Sequence, residues 1–304
     1  MLQKLKPHAA VWVKYDFWFG YLNALHRRQI PLYVIAAVFR ENHFLFRFPG
    51  RAFLPLLRAC RYIFTQDAHS EALLQEQGFT EVIFAGDTRF DRVLQISAQS
   101  EPIPQAAVFK QESLLVVAGS SWPAEEAILH DFIVRHGLKG WKLILVPHDV
   151  SEPHIEAIVT KFAPFGMKRW SQFDPADPGV HAVVVDSIGL LSRLYRHADI
   201  AVVGGGFRGA LHNILEATVY GLPVIFGPET ARYWEAQAAV EAGCSFQVKD
   251  AGSFSAALLH FLEEKPAREA AGLAAKAFIG RNSGATQLIC KHFIPSAGAG
   301  GNEL

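Results

Sequence analysis

Cysteine is scarce in this chain, and an excess of charge is missing altogether. The 3 cysteines, Cys60, Cys244 and Cys290, are odd in number, far apart and set in apolar contexts. That excludes a disulfide-built secreted scaffold and predicts buried, reduced thiols in a cytosolic setting. Lys+Arg and Asp+Glu are both 29, so there is no basic balance to argue for a nucleic-acid partner. No apolar run reaches about 18 residues without a charge, so no segment is expected to span a bilayer, although surface contact stays open. No leader-like run opens at Met1. No cluster with metal-ligand spacing is visible. His148 reads as a loop ligand and His154 as a surface histidine, and neither a metal nor another cofactor is expected. What remains is a globular composition, 50% hydrophobic and 19% charged. At 304 residues the chain exceeds the roughly 250–300 at which a single core stops growing, so two domains are expected.

Strand-like and helix-like segments alternate along the chain. Ala9–Val13, Ile30–Ala37, Ile63–Gln66 and Val82–Ala85 read as strands, with helices at Phe17–Arg28 and Ser70–Gln77. The segment from Phe39 to Phe64 interleaves phenylalanines with Arg40, Arg47, Arg51, Arg58 and Arg61. As a helix it would carry an apolar and a basic face, suited either to a core helix with a solvated rim or to contact with lipid head groups. Gly86–Asp91 reads as a polar loop at a strand's C-terminal end, where open α/β sheets place ligands. Composition shifts to a linker over Ser100–Gln105. Beyond it, the strands Leu114–Ala118, Lys142–Val146 and Ala182–Val185 each end in a polar loop, and helices are expected at Trp234–Ala242, Phe254–Glu263 and Ala267–Phe278. Ser296–Leu304 is glycine-rich and reads as a disordered tail. Such alternation means parallel sheets in Rossmann-like layers.

The run Asp199–Glu229, DIAVVGGGFRGALHNILEATVYGLPVIFGPE, organises the rest. A buried strand is followed by Gly204, Gly205, Gly206 and Gly209, then by a helix over His212–Tyr220 stopped by Gly221 and Pro223. Loop N–H groups ahead of a helix form an anion site. Asn213 and Glu216 share one face of that helix, and a carboxylate there suits two adjacent ribose hydroxyls. The alternative is a capping Asn213 and a solvated Glu216. Gly204, Gly206 and Gly209 also satisfy G-x-G-x-x-G, with Glu229 about 20 residues on, so an NAD(P)-dependent oxidoreductase is a rival. A non-catalytic nucleotide-sugar binding protein is another.

Six ordered runs carry a resemblance: VKYDFWFGYLNAL, GDTRFDRV, VAGSSWPAEEAIL, LILVPHDVSEPHI, VVVDSIGLLSRLY and VVGGGFRGALHNILEATVYGLPVIFGPE. Together the chain resembles the 3-deoxy-D-manno-octulosonic acid (Kdo) transferases of lipopolysaccharide core synthesis, in a Bacteroidetes-like variant. The resemblance implies an α/β fold of the GT-B glycosyltransferase type, two Rossmann-like domains facing a cleft. An incomplete acceptor-side domain is expected over 1–105, a CMP-Kdo domain over 106–294 and a tail over 295–304. It implies inverting transfer of Kdo from CMP-Kdo to a lipid A precursor, at the cytoplasmic face of the inner membrane, with peripheral membrane contact. It places Ser120, Ser121, His148, Ile188, Gly189, Gly205, Gly206, Asn213 and Glu216 around CMP, and Arg40, Arg89 and Asp16 on the Kdo or acceptor side. The family's catalytic base belongs to a segment ahead of the position matching Pro7. The chain is therefore expected to be N-terminally truncated and impaired, with Asp16 as the candidate substitute base.

Overall fold

The computed structural model describes residues 2–14 and 17–293. Contacts divide the chain into two units: Met1–Arg92 together with the segment from Asn282, and Val93–Arg281. The division falls inside a helix, Thr88–Gln99. No described helix is long and apolar enough to cross a membrane.

Among the described residues the first unit holds four parallel strands, β1 (Ala10–Val13), β2 (Leu32–Ala37), β3 (Tyr62–Thr65) and β4 (Val82–Phe84), in the order β1-β2-β3-β4. Its core is built from Leu22, Val34, Phe39, Leu57, Ile63 and Leu74, all buried. Each such side chain contributes about 1.5–3 kcal/mol by leaving water. The arginine- and phenylalanine-rich segment does not form the expected amphipathic helix. It forms two tight turns, Phe44–Phe46 and Gly50–Phe53, and one short helix, Leu54–Arg58. Pro49 and Pro55 interrupt any longer run. Gly50 lies so close to Phe44 that an added Cβ would sit 2.1 Å from the Phe44 carbonyl oxygen. Gly86–Asp91 is likewise shorter as a loop than expected. The Asp87 carboxylate accepts from the Arg89 N–H at 2.9 Å and starts the Thr88–Gln99 helix.

The second unit holds seven parallel strands: β5 (Leu114–Ser121), β6 (Trp141–Pro147), β7 (Met167–Arg169), β8 (Ala182–Val184), β9 (Ile200–Val203), β10 (Val224–Phe226) and β11 (Ser245–Gln247). Their order is β11-β10-β9-β5-β6-β8-β7. Burial is complete along β6 and β9, as continuous apolar runs covered on both faces require. Pro123 opens the helix Pro123–His136, and Gly137, at φ +70, ends it. Strands β7 and β11, three residues each, have no counterpart in the sequence reading. Pro104 and Gln105, read as linker, open the helix Pro104–Lys110.

Cys60 and Cys244 are buried as expected, but Cys290, on the helix Ala285–Phe293, is exposed. The glycine-rich tail lies outside the described residues.

Candidate functional site

The order of strands in the second unit reverses between β5 and β9, where open α/β sheets form a ligand crevice beyond the strands' carboxyl ends. The loop after β5 carries Ser120, Ser121 and Trp122; the loop after β9 carries the glycines. They touch because Gly204 has no side chain. An added Cβ would lie 2.2 Å from the Ser120 carbonyl oxygen. Gly205 turns the chain at φ +87, a conformation side chains rarely adopt. The Gly206 carbonyl accepts from the Glu229 N–H at 2.8 Å, tying this loop to the one after β10.

The glycine loop's N–H groups do not all face outward, as the sequence reading had them. Glu125, 3% exposed in the first turn of the Pro123–His136 helix, accepts from the Gly205 N–H at 2.9 Å and the Phe207 N–H at 3.4 Å. Its other oxygen accepts from the Trp122 N–H at 3.1 Å. The chain's own carboxylate therefore fills part of the expected anion cradle. The expected helix over His212–Tyr220 is also reduced to Leu215–Thr218, and ahead of it the His212 N–H is spent on the Gly204 carbonyl. With the Gly205 and Phe207 N–H groups spent on Glu125 and only a four-residue helix behind it, the G-x-G-x-x-G run lacks the open row of amides and the long helix of a dinucleotide cradle.

Glu126, the next residue, accepts from the Ser121 hydroxyl at 3.1 Å, and His154 Nε2 lies 3.1 Å from the same oxygen. Ser121 is thus buried and committed to the protein. His154 is not the surface histidine expected but a half-buried partner of a carboxylate. Ser120, at φ +51, keeps its hydroxyl clear of any described partner. Neither acid was singled out in the sequence; the one local signal is a pair of glutamates in the first turn of a helix directly after a strand.

A column of flat groups stands on these loops. Arg208 Cζ lies 3.8 Å from the Trp122 ring centroid. Trp122 stacks on His148 at 4.2 Å, and His148 meets His212 at 4.7 Å, tilted. Burial lowers the His212 pKa, and the neighbouring His148 lowers it further, so the ring favours its neutral form. Trp122 Nε1 is buried without a hydrogen-bond partner among the described residues. Neither Trp122 nor Arg208 was singled out in the sequence, where a lone tryptophan reads as core.

Beside the column, Asn213 Oδ1 accepts from the Leu215 N–H at 3.2 Å and its Nδ2 donates to Glu216 at 3.3 Å. Burial raises the Glu216 pKa, and the bond from Asn213 offsets part of that. No described cation pairs with Glu216. Ile188, 87% exposed, and Gly189, at φ +95, lie on the loop after β8. No ring contact or hydrogen bond among the described residues joins them to the column.

In the first unit, Arg40 donates to Asp67 at 2.9 Å, and Asp67 also accepts from the Ser70 N–H at 2.7 Å to cap the helix Ala68–Glu76. Arg89 forks onto the buried Asp87 at 2.9 and 2.7 Å. Asp91 accepts from the Gly284 and Thr286 N–H groups at 2.6 Å each. Asp16 lies outside the described residues. Among the described residues, no group of three His, Cys, Asp or Glu side chains is placed to hold a metal.

The sequence profile described as 3-deoxy-D-manno-octulosonic-acid transferase (kdotransferase) matches residues 1–92. The 3-deoxy-D-manno-octulosonic acid transferase of Aquifex aeolicus is 35% identical over 160 residues, 51% of this chain and 44% of that one. The Bordetella pertussis enzyme of the same name is 26% identical over 300 residues, 94% of this chain and 68% of that one. The chain thus spans about half to two thirds of their length. Among solved structures, the C-terminal CMP-Kdo binding domain of WaaA from Acinetobacter baumannii superposes with a TM-score of 0.50 at 18% identity, covering 62% of this chain and 97% of that one. UDP-GlcNAc 2-epimerase from Neisseria meningitidis, bound to UDP-GlcNAc, gives 0.64 at 17% identity over 96% of this chain and 77% of that one. Both likenesses speak to fold alone: the first to one α/β domain, the second to a GT-B-like pair of parallel α/β sheets.

Proposed function

The chain belongs to the 3-deoxy-D-manno-octulosonic acid transferase family, and from that premise we propose that it binds CMP-Kdo and transfers Kdo, with inversion, to a lipid A precursor. The observation that carries the donor site is Glu216. It is a half-buried carboxylate with one side-chain bond, from Asn213, and no described cation beside it. Such a group is costly to bury unless hydroxyl or N–H donors complete it. Two vicinal ribose hydroxyls are donors of the right kind. Ser120, with its free hydroxyl, and His148, at the end of β6, are the groups offered to the nucleotide phosphate. Ser121, Gly205 and Gly206 shape the pocket through Glu125, Glu126 and the backbone rather than by touching the ligand. Ile188 and Gly189 offer an exposed apolar edge to the base.

The acceptor side belongs to the first unit. Arg40 and Arg89 carry the positive charge there, each already oriented by a carboxylate. Peripheral contact with the membrane's cytoplasmic face rests on Phe48, 95% exposed, and Phe44, alongside the exposed Arg47 and Arg51. An aromatic side chain flanked by cations suits an anionic lipid surface.

Calorimetry with CMP tests the donor site. We expect binding by the unaltered chain, and about tenfold or more weaker binding by Glu216→Gln with a melting temperature no lower than that of the unaltered chain. No binding by the unaltered chain would end the reading. Transfer of radiolabelled Kdo to a lipid A precursor separates an enzyme from a binding protein.

A further inference from the structure

Between the loop after β9 and the loop after β10 lies an open cavity of about 450 Å³, lined by Arg208, Gly209, Pro228, Glu229, Thr230 and Arg232. None of the residues assigned above to the nucleotide lines it. Its two guanidiniums are unspent: among the described residues no ion pair engages Arg208 or Arg232. Arg208 is nonetheless held in place, since its guanidinium carbon lies 3.8 Å over the centroid of the Trp122 ring. Stacking uses the face of a guanidinium and leaves its in-plane N–H donors free for a planar carboxylate. Gly206 packs against Gly227, where an added Cβ would come within 2.5 Å of backbone, so the floor between the two loops is fixed.

The third charge in the cavity decides what it takes. The Glu229 carboxylate lies over Gly209, where an added Cβ would be 3.0 Å from Oε2, and it too lacks a described cationic partner. Two cations and one carboxylate leave a net charge of +1. A phosphate diester offers Glu229 no hydrogen-bond donor. A polyhydroxylated monoacid satisfies all three, its carboxylate on the arginines and its hydroxyls donating to Glu229. Resting on the donor reading above, we propose that this cavity is the subsite for the carboxylate-bearing sugar of the donor, with Arg208 forking its carboxylate and Arg232 adding charge.

The test compares calorimetric affinities for freshly prepared CMP-Kdo and for free CMP in the unaltered chain, Arg208→Ala, Arg208→Lys, Arg232→Gln and Glu229→Gln. All four substitutions fall on exposed side chains, and melting temperatures check that each variant folds. We expect Arg208→Ala and Arg232→Gln to weaken CMP-Kdo about tenfold and CMP less than about twofold, with Arg208→Lys intermediate because charge survives and the fork does not. Equal loss for both ligands would show that the arginines hold the phosphate, and would overturn the proposal, as would tighter CMP binding by Glu229→Gln. No loss for either ligand would overturn it while leaving the donor site intact. If the unaltered chain binds neither ligand, the donor reading falls and this inference falls with it.

Discussion

The buried carboxylate of Glu125 accepts a 2.9 Å hydrogen bond from the N–H of Gly205, a residue 80 positions further along the chain. The bond crosses the switch point of the sheet and fixes the loop after β9 to the first turn of the helix after β5. The glycine loop is therefore shaped from within the protein before any ligand arrives. Glu125→Ala would strip acceptors from the Gly205, Phe207 and Trp122 N–H groups at once. Bonds to a charged acceptor contribute about 1.5–3 kcal/mol each, and not additively, so a loss of about 2–4 kcal/mol is expected. Denaturant unfolding measures it. Glu125→Gln, which keeps an acceptor of the same shape, should lose less than half as much. A fully stable Glu125→Ala chain would show that the loop holds its shape unaided.

Gly204 tests the close approach between the same two loops. Its hypothetical Cβ meets backbone, Ser120 O at 2.2 Å and Ser121 Cα at 2.7 Å, which has no rotamer to escape into. We expect Gly204→Ala to cost about 1–3 kcal/mol and to weaken CMP binding as β5 and β9 move apart. Gly280, inside the helix Lys265–Asn282, is the contrast, because a Cβ there meets nothing within 4 Å. Gly280→Ala should be neutral or stabilising by up to about 1 kcal/mol. Thermal melts of the two variants should shift in opposite directions, or the second not at all.

Much of this was legible in the sequence where the signal was long and periodic. β5, β6 and β9 are apolar β-branched runs with polar ends, and their places followed from pattern alone. The site was legible as a location, since glycines after a buried strand mark a turn at the sheet's edge. The identity of the groups filling it was not. Nothing local to Glu125 says that its carboxylate points at a loop 80 residues away. The stack of Arg208 on Trp122 likewise joins two loops that only the strand order makes neighbours. Short elements failed for another reason: β7 and β11 have three residues each, too few for any periodicity to show. The helix expected at His212 starts later because the Asn213 side chain accepts from the Leu215 N–H and turns the chain just ahead of Leu215.

Thiol chemistry should separate the three cysteines. Burial pushes the Cys60 thiol up to about 12, and it raises Cys244 as well. A thiolate is the reactive form, so both stay inert at pH 8 in the folded chain. Cys290 is exposed. Labelling with a chromogenic disulfide reagent should modify one thiol in the native protein and all 3 after denaturation. Mass mapping should place the native label on Cys290. Rapid labelling of Cys60 under native conditions would mean that the core around Leu57 and Ile63 opens readily.

The pH dependence of nucleoside binding isolates Glu216. Burial raises its pKa above the ordinary glutamate value of 4.5, and the bond from Asn213 pulls it part of the way back. A carboxyl that holds its proton more tightly when folded contributes stability below 4.5 that is lost as pH rises through the raised value. Ligand binding should run the other way. Only the ionised group accepts from both ribose hydroxyls, so affinity should climb over that same window. CMP is a poor probe of this by itself, because a phosphate monoester also titrates, near pH 6. Cytidine carries the same ribose and no phosphate. Its affinity, measured from pH 4 to pH 8, should rise as Glu216 ionises and then level off, and Glu216→Gln should bind more weakly and lose that rise, keeping only the part due to His212 and the cytosine ring. In the same interval, unfolding free energy of the unaltered chain relative to Glu216→Gln should fall with rising pH. Both slopes end where the unliganded folded Glu216 finishes ionising, so the two curves should level off at the same pH. A cytidine profile that Glu216→Gln leaves unchanged would move the ribose to another part of the sheet edge.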